Sequence, residues 1–230
     1  MQTDIVEAIR TGDLATLNRL LSSDPTLVHA RADGQRTLLH VATDWPGHFP
    51  NVRETISTLV AHGADVNAKI LGQPHSESPL HWAASSDDLD ALNALLDHGA
   101  DLEAPGAVIG GGTPLADAVA FATWRAARRL IERGARSTIW QSAALGLMDR
   151  IEEHMACDPV PAAEDVTNAF WGACHGGQLV AAQFLLSRGA NLNWVGHDHL
   201  TPLDAAARNG NSELIEWLCN EGAVSAKASA

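Results

Sequence analysis

The sequence predicts an all-α solenoid, a row of helix pairs stacked side by side, and three observations lead to it. The dipeptide Gly-Ala recurs at Gly63, Gly99, Gly134, Gly189 and Gly222, at intervals of 36, 35, 55 and 33 residues. An apolar doublet precedes each occurrence: Leu59-Val60, Leu95-Leu96, Leu130-Ile131, Leu185-Leu186 and Leu218-Cys219. That order is a helix end followed by its glycine cap. A helix start follows three of them, in Ser78-Pro-Leu-His81, Thr113-Pro-Leu115 and Thr201-Pro-Leu-Asp204, and Thr37-Leu-Leu-His40 is a similar start ahead of the first. The hydroxyl accepts a bond from an orphan first-turn N–H, and proline at the first helical position lacks only a donor that would be unpaired anyway. One helix pair cannot bury its apolar stripe alone, so neighbours stack. The small pairs Ala83-Ala84, Ala143-Ala144 and Ala206-Ala207 let the first helices approach closely.

The segments Ser78-Pro-Leu-His-Trp-Ala-Ala84, Gly99-Ala-Asp101, Gly189-Ala-Asn-Leu-Asn193 and Thr201-Pro-Leu-Asp-Ala-Ala206 resemble ankyrin repeats, and the resemblance covers nearly the whole chain. It implies antiparallel helix pairs joined by β-turn fingers, and protein recognition through a concave groove; it supplies no catalytic residues. A single domain over residues 1–230 is expected, in about seven units. The first, 1–31, lacks its finger; the second, third and fourth run over 32–69, 70–104 and 105–137. The fifth, 138–159, is short, because Trp140-Gln-Ser-Ala-Ala144 follows Gly134-Ala135 with almost no room for a finger. Units at 160–195 and 196–230 complete the row.

Composition narrows the function. The 28 acidic and 15 basic residues give a net charge of −13, which argues against a nucleic-acid partner. No run approaches the roughly eighteen apolar residues of a membrane span. The start, Met1 to Glu7, carries acid where a secretory signal has a basic region, so export is not expected. Cys157, Cys174 and Cys219 fit neither a disulfide framework nor a zinc ribbon, which points to a reducing cytoplasm and a protein without cofactor or metal. Lysine occurs only at Lys69 and Lys227, so 13 of the 15 basic residues are arginine, a bias expected of a high-GC bacterial genome. Tyrosine is absent, yet there are seven tryptophans, and most need a role in core or groove.

Departures from the 33-residue pattern point to the binding surface, since a repeat scaffold varies where its ligand touches it. Three insertions fall in adjacent units: Pro46 to Pro50 between two helices, a lengthened finger around Ile70 to His75, and the glycine-rich finger Pro105 to Gly112. The first lies at the opposite end of the first helices from the other two. By repeat register, the candidate binding residues are Trp45, His48, Phe49, His75, Glu77, Trp82, Ser85, Asp87, Phe121, Trp171, His175, Trp194 and Asp198. Trp124, Trp140 and Trp217 are assigned to the core. Trp45, His48, His75, Glu77, Ser85, Asp87 and Asp117 are expected around one cavity.

Two functions follow. The favoured one is a monomeric module that recognises a protein partner along the groove. The alternative is a small apolar ligand, or acid–base chemistry upon it, in a pocket walled by the three insertions. Asp44 and Asp117 are its candidate catalytic groups. Asp117 takes the register position that Trp82 holds one unit earlier, where burial raises a carboxyl pKa unless Arg125 or Arg128 pairs with it. By the resemblance, His40 and His81 tie one turn to the next. His197-Asp198-His199 has no metal-ligand spacing.

Overall fold

The computed structural model describes residues 2–226, so the first and last of the expected units each run past the described residues at one end. The structure is all-α, with fourteen helices in seven pairs and one two-residue hairpin among the described residues. The packing gathers into two compact bodies that divide between Ala135 and Arg136.

The first body contains α1 (Gln2–Thr11) and α2 (Leu14–Ser23), a 3-10 turn (Pro25–His29), and the hairpin β1 (Arg31–Ala32) with β2 (Arg36–Thr37). It continues through α3 (Leu38–Ala42), α4 (Val52–Ala61), α5 (Pro79–Ser85), α6 (Leu89–Asp97), α7 (Pro114–Ala120) and α8 (Trp124–Glu132). In each pair the first helix packs on the first helix of the next pair, and the second on the second. Ala83 and Ala84 of α5 are fully buried, which permits the close stacking on α7. Of the four predicted starts, Thr37 and Thr201 cap their helices through the hydroxyl, whereas Ser78 and Thr113 make no side-chain cap bond. The Thr37 hydroxyl accepts from the His40 N–H at 3.3 Å, and proline opens α5 and α7.

His40 and His81 join successive pairs. Nδ1 of His40 accepts the Thr37 N–H, and its Nε2 faces the Glu77 carbonyl at 3.2 Å. Nδ1 of His81 accepts the Ser78 N–H, and its Nε2 faces the Gly112 carbonyl at 3.4 Å. Burial pushes both imidazoles down to about 4, so both are neutral at pH 7, with the proton on Nε2 where a carbonyl can accept it.

The second body contains α9 (Ile139–Leu145), α10 (Met148–Met155), α11 (Ala163–His175), α12 (Leu179–Ser187), a 3-10 turn (His197–His199), α13 (Pro202–Asn209) and α14 (Ser212–Asn220). Its core centres on Phe170, Leu185, Leu214 and Leu218, all fully buried. Gly176 lets α11 close on α9, because a Cβ there would collide with the Ala144 carbonyl. Ala206 is buried whereas Ala207 is exposed, so only the first of that small pair faces a neighbour. No helix among the described residues is long and apolar enough to cross a membrane.

Candidate functional site

The two inserted fingers of the first body lie side by side at the N-terminal ends of α5 and α7. Lys69 Nζ donates to the Pro105 carbonyl at 2.6 Å, and Gly106 sits so close to the Ser76 carbonyl that no Cβ would fit. The insertion at 46–50 lies at the other end of the first helices. There the His48 N–H donates to Asp88 at 2.6 Å, and the Asn51 amide donates to the Gly12 carbonyl at 2.9 Å.

Beneath the paired fingers is a buried carboxyl pair. Asp117, in the first turn of α7, is fully buried. Its Oδ1 accepts a long 3.5 Å bond from the Ile109 N–H on the glycine-rich finger, and its Oδ2 meets no donor group. Burial pushes its carboxyl up to about 7. The negative charge of Glu77 adds to this, as does a carboxyl–carboxyl hydrogen bond with Glu77 that exists only while Asp117 holds its proton. Glu77 is itself buried, and its Oε2 accepts the Trp82 indole N–H at 3.2 Å and lies 3.4 Å from His75 Nε2. The Trp82 ring stands edge-on to His40, with centroids 5.1 Å apart. Arg125 does not answer Asp117; it lies 3.8 Å from Asp87.

The structure thus brings together His75, Glu77, Trp82 and Asp117. The other residues expected around the same cavity lie at the far end of α3 and α5. Ser85 donates to the Trp82 carbonyl, Asp87 accepts the Ala126 N–H at 2.7 Å, and His48 is held by Asp88. Asp44, the second candidate for acid–base chemistry, forms ion pairs with Arg10 at 3.2 Å and Arg36 at 2.5 Å. Trp45 next to it is 82% exposed and Phe121 is 51% exposed, whereas Phe49 is half-buried. On the fingers Leu71, Val108 and Ile109 also stand in solvent.

In the second body Trp171, expected beside the groove, is buried. Its indole N–H donates to the Leu200 carbonyl at 3.0 Å, and its face stacks on His175, which is also buried. Trp194 is half-buried, and so are Trp124, Trp140 and Trp217, which the sequence assigned to the core. Asp198 is exposed and paired with Arg208 at 2.7 Å, which holds its carboxyl below the usual range. Among the described residues no three His, Cys, Asp or Glu side chains are placed to hold a metal ion.

The family described as Ankyrin repeats (3 copies) matches residues 5–106 and 139–228. The chain is an ankyrin repeat protein. It is similar to the ankyrin repeat and KH domain-containing protein mask-1 of Caenorhabditis elegans, at 29% identity over 75% of this chain and 6% of that protein. A second relative is an ankyrin repeat and KH domain-containing protein of Caenorhabditis briggsae, at 27% identity over 72% of this chain and 5% of that one. The serine/threonine-protein kinase VIK of Arabidopsis thaliana is 36% identical over 38% of this chain and 18% of its own length. The chain therefore spans less than a fifth of the curated relatives it matches.

The carboxyl pair is a departure from the repeat motif rather than part of it. In the third ankyrin unit the motif is complete, Ser78-Pro-Leu-His81-Trp82; in the fourth the equivalent positions carry Ala116 and Asp117. That substitution marks Asp117 in the sequence. Its partner Glu77 belongs to the preceding unit, and spacing along the chain gives no sign that the two meet.

Proposed function

We propose that this ankyrin repeat chain binds a protein partner on the concave face that the first helices and fingers of its first body form. The observation that carries the proposal is the set of large apolar side chains left in water at groove positions of the repeat. Trp45 and Phe121 stand at the ends of first helices, and Leu71, Val108 and Ile109 on the fingers. Aromatic and aliphatic anchors of this kind, rimmed by polar groups, make interface hot spots. The net charge of −13 supports a partner other than nucleic acid, the arginine bias supports a bacterial source, and the three cysteines without a disulfide pattern support a cytoplasmic setting. The test is a photo-crosslinker placed at Trp45 and at Ile109, with one at exposed Val180 as reference. The same single partner captured from the first two positions and not from the third supports the proposal; equal capture from all three refutes it.

A small-ligand or acid–base function draws on one observation, the buried Asp117 carboxyl with a pKa near 7. A general acid or base works best with a pKa near the operating pH. Asp44, neutralised by two arginines, adds little to it. Asp117→Asn separates the two functions: partner capture survives it, and proton transfer does not.

A further inference from the structure

The second body holds an arrangement of aromatic rings that the function proposed above does not use. The His197 ring is surrounded by three indoles, with centroids 5.0 Å from Trp171, 6.0 Å from Trp194 and 6.1 Å from Trp140. All three contacts are edge-to-face, at interplanar angles of 75°, 89° and 60°. The indoles come from three separate segments: α9, α11 and the finger before α13. Two of them sit on glycine. A Cβ at Gly172 would lie 2.7 Å from the Trp140 ring, and one at Gly196 would collide with the Trp194 ring. Trp140 is placed by packing alone, since its N–H is buried without an acceptor. Trp171 is fixed on its other side by the stacked His175.

His197 is only lightly held in this cage. It is exposed, and its Nε2 lies 3.0 Å from Asn168 Oδ1. The turn that carries it places two successive non-glycine residues, Asp198 and His199, at φ of 56° and 57°.

We propose that Trp140, Trp171 and Trp194 form a site for a quaternary ammonium group, occupied at rest by the imidazole of His197. Indole is the best of the aromatic rings at attracting a cation within about 6 Å of its centroid. A primary ammonium brings three N–H donors that indole faces do not satisfy as oxygen acceptors would. A trimethylammonium group has no N–H to satisfy and is close to an imidazole in girth. The net charge of −13 raises the local concentration of cations. The group could arrive as a trimethylated lysine on a peptide or as a free choline-type molecule, and either asks the same of the cage. This site does not depend on the partner of the first body.

The test uses the full chain and its indole fluorescence. Choline is titrated alongside 3,3-dimethylbutanol, its neutral isostere. Saturable quenching by choline, at least about fivefold tighter than by the isostere, is expected from the cation–π contribution. His197→Ala removes the resident ring and should tighten choline binding about fivefold or more. Trp194→Phe keeps an aromatic ring and should weaken it; far-UV circular dichroism checks that this variant is folded. Indole N–H shifts in NMR spectra of the unaltered protein give a second readout that needs no variant. A trimethyl-lysine peptide that binds more tightly than choline and its unmethylated counterpart assigns the peptide source, and equal binding of peptide and choline assigns the free molecule. No saturable choline binding by the His197→Ala protein, or equal binding of the isostere, overturns the proposal.

Discussion

Replacing Asp117 by asparagine isolates the energetics of the buried carboxyl pair. The side chain is fully buried, and its carboxyl moves from an ordinary 3.8 to about 7 on folding. A pKa raised in the folded state means that the native protein keeps a proton which the unfolded chain has released. Below pH 4 both states are protonated and Asp117 leaves stability unchanged. Between pH 4 and 7 stability falls as pH rises, and above 7 the loss is complete. At about 1.4 kcal/mol for each tenfold change in proton affinity, the full loss is about 4 kcal/mol. Asparagine has nearly the same shape as the protonated acid, cannot ionise, and can donate to Glu77. The assay is urea unfolding of both proteins from pH 4 to 8, read as the difference between them so that all other titrating groups cancel. Relative to the wild type, the asparagine variant should gain about 4 kcal/mol between pH 4 and pH 8. A difference that stays level, or that shrinks as pH rises, would refute the buried, proton-sharing pair.

Other predictions concern the stack and its surface. His40 and His81 have imidazoles lowered from 6.5 to about 4, so the unfolded chain takes up protons first on acidification. Each should remove about 3 kcal/mol of stability as pH falls from 6.5 to 4, and His81→Gln should remove one share of that slope in urea unfolding. Ala84→Glu places a charge in a fully buried contact between α5 and α7 and should abolish cooperative thermal unfolding of the first body; a melting temperature within a degree or two of wild type would show that the helix register is wrong. Gly176→Ala drives a methyl group into the Ala144 carbonyl and should cost about 2 kcal/mol or more, measurable by denaturant unfolding. Trp45→Ala removes a ring that is 82% exposed, so stability should change by less than about 0.5 kcal/mol while partner capture is lost.

Local chemistry made the scaffold legible. Five second helices announce their ends by Gly-Ala and three first helices their starts by a hydroxyl and proline, and these signals act within a few residues of chain. The same register marked Asp117 as a charge in an apolar position, and burial raised its pKa as expected from desolvation. What the register could not supply is which side chains meet across units. Arg125 pairs with Asp87, and it is Glu77 from the neighbouring finger whose charge bears on Asp117. Asp44 looks from sequence like a carboxylate among aromatics, yet Arg10 and Arg36 reach it from 34 residues before it and 8 before it. Register places His197 on a finger but not among indoles, because the three around it lie on three different segments of chain.

The two histidine links have a further consequence for how such a protein evolves. His40 and His81 each grip the next repeat through a main-chain carbonyl, at Glu77 and at Gly112. A carbonyl is present whatever residue stands there. The cohesion of the array is thereby insulated from the identity of finger side chains. Mutation can rewrite those side chains, and with them the choice of ligand, without loosening one repeat from the next.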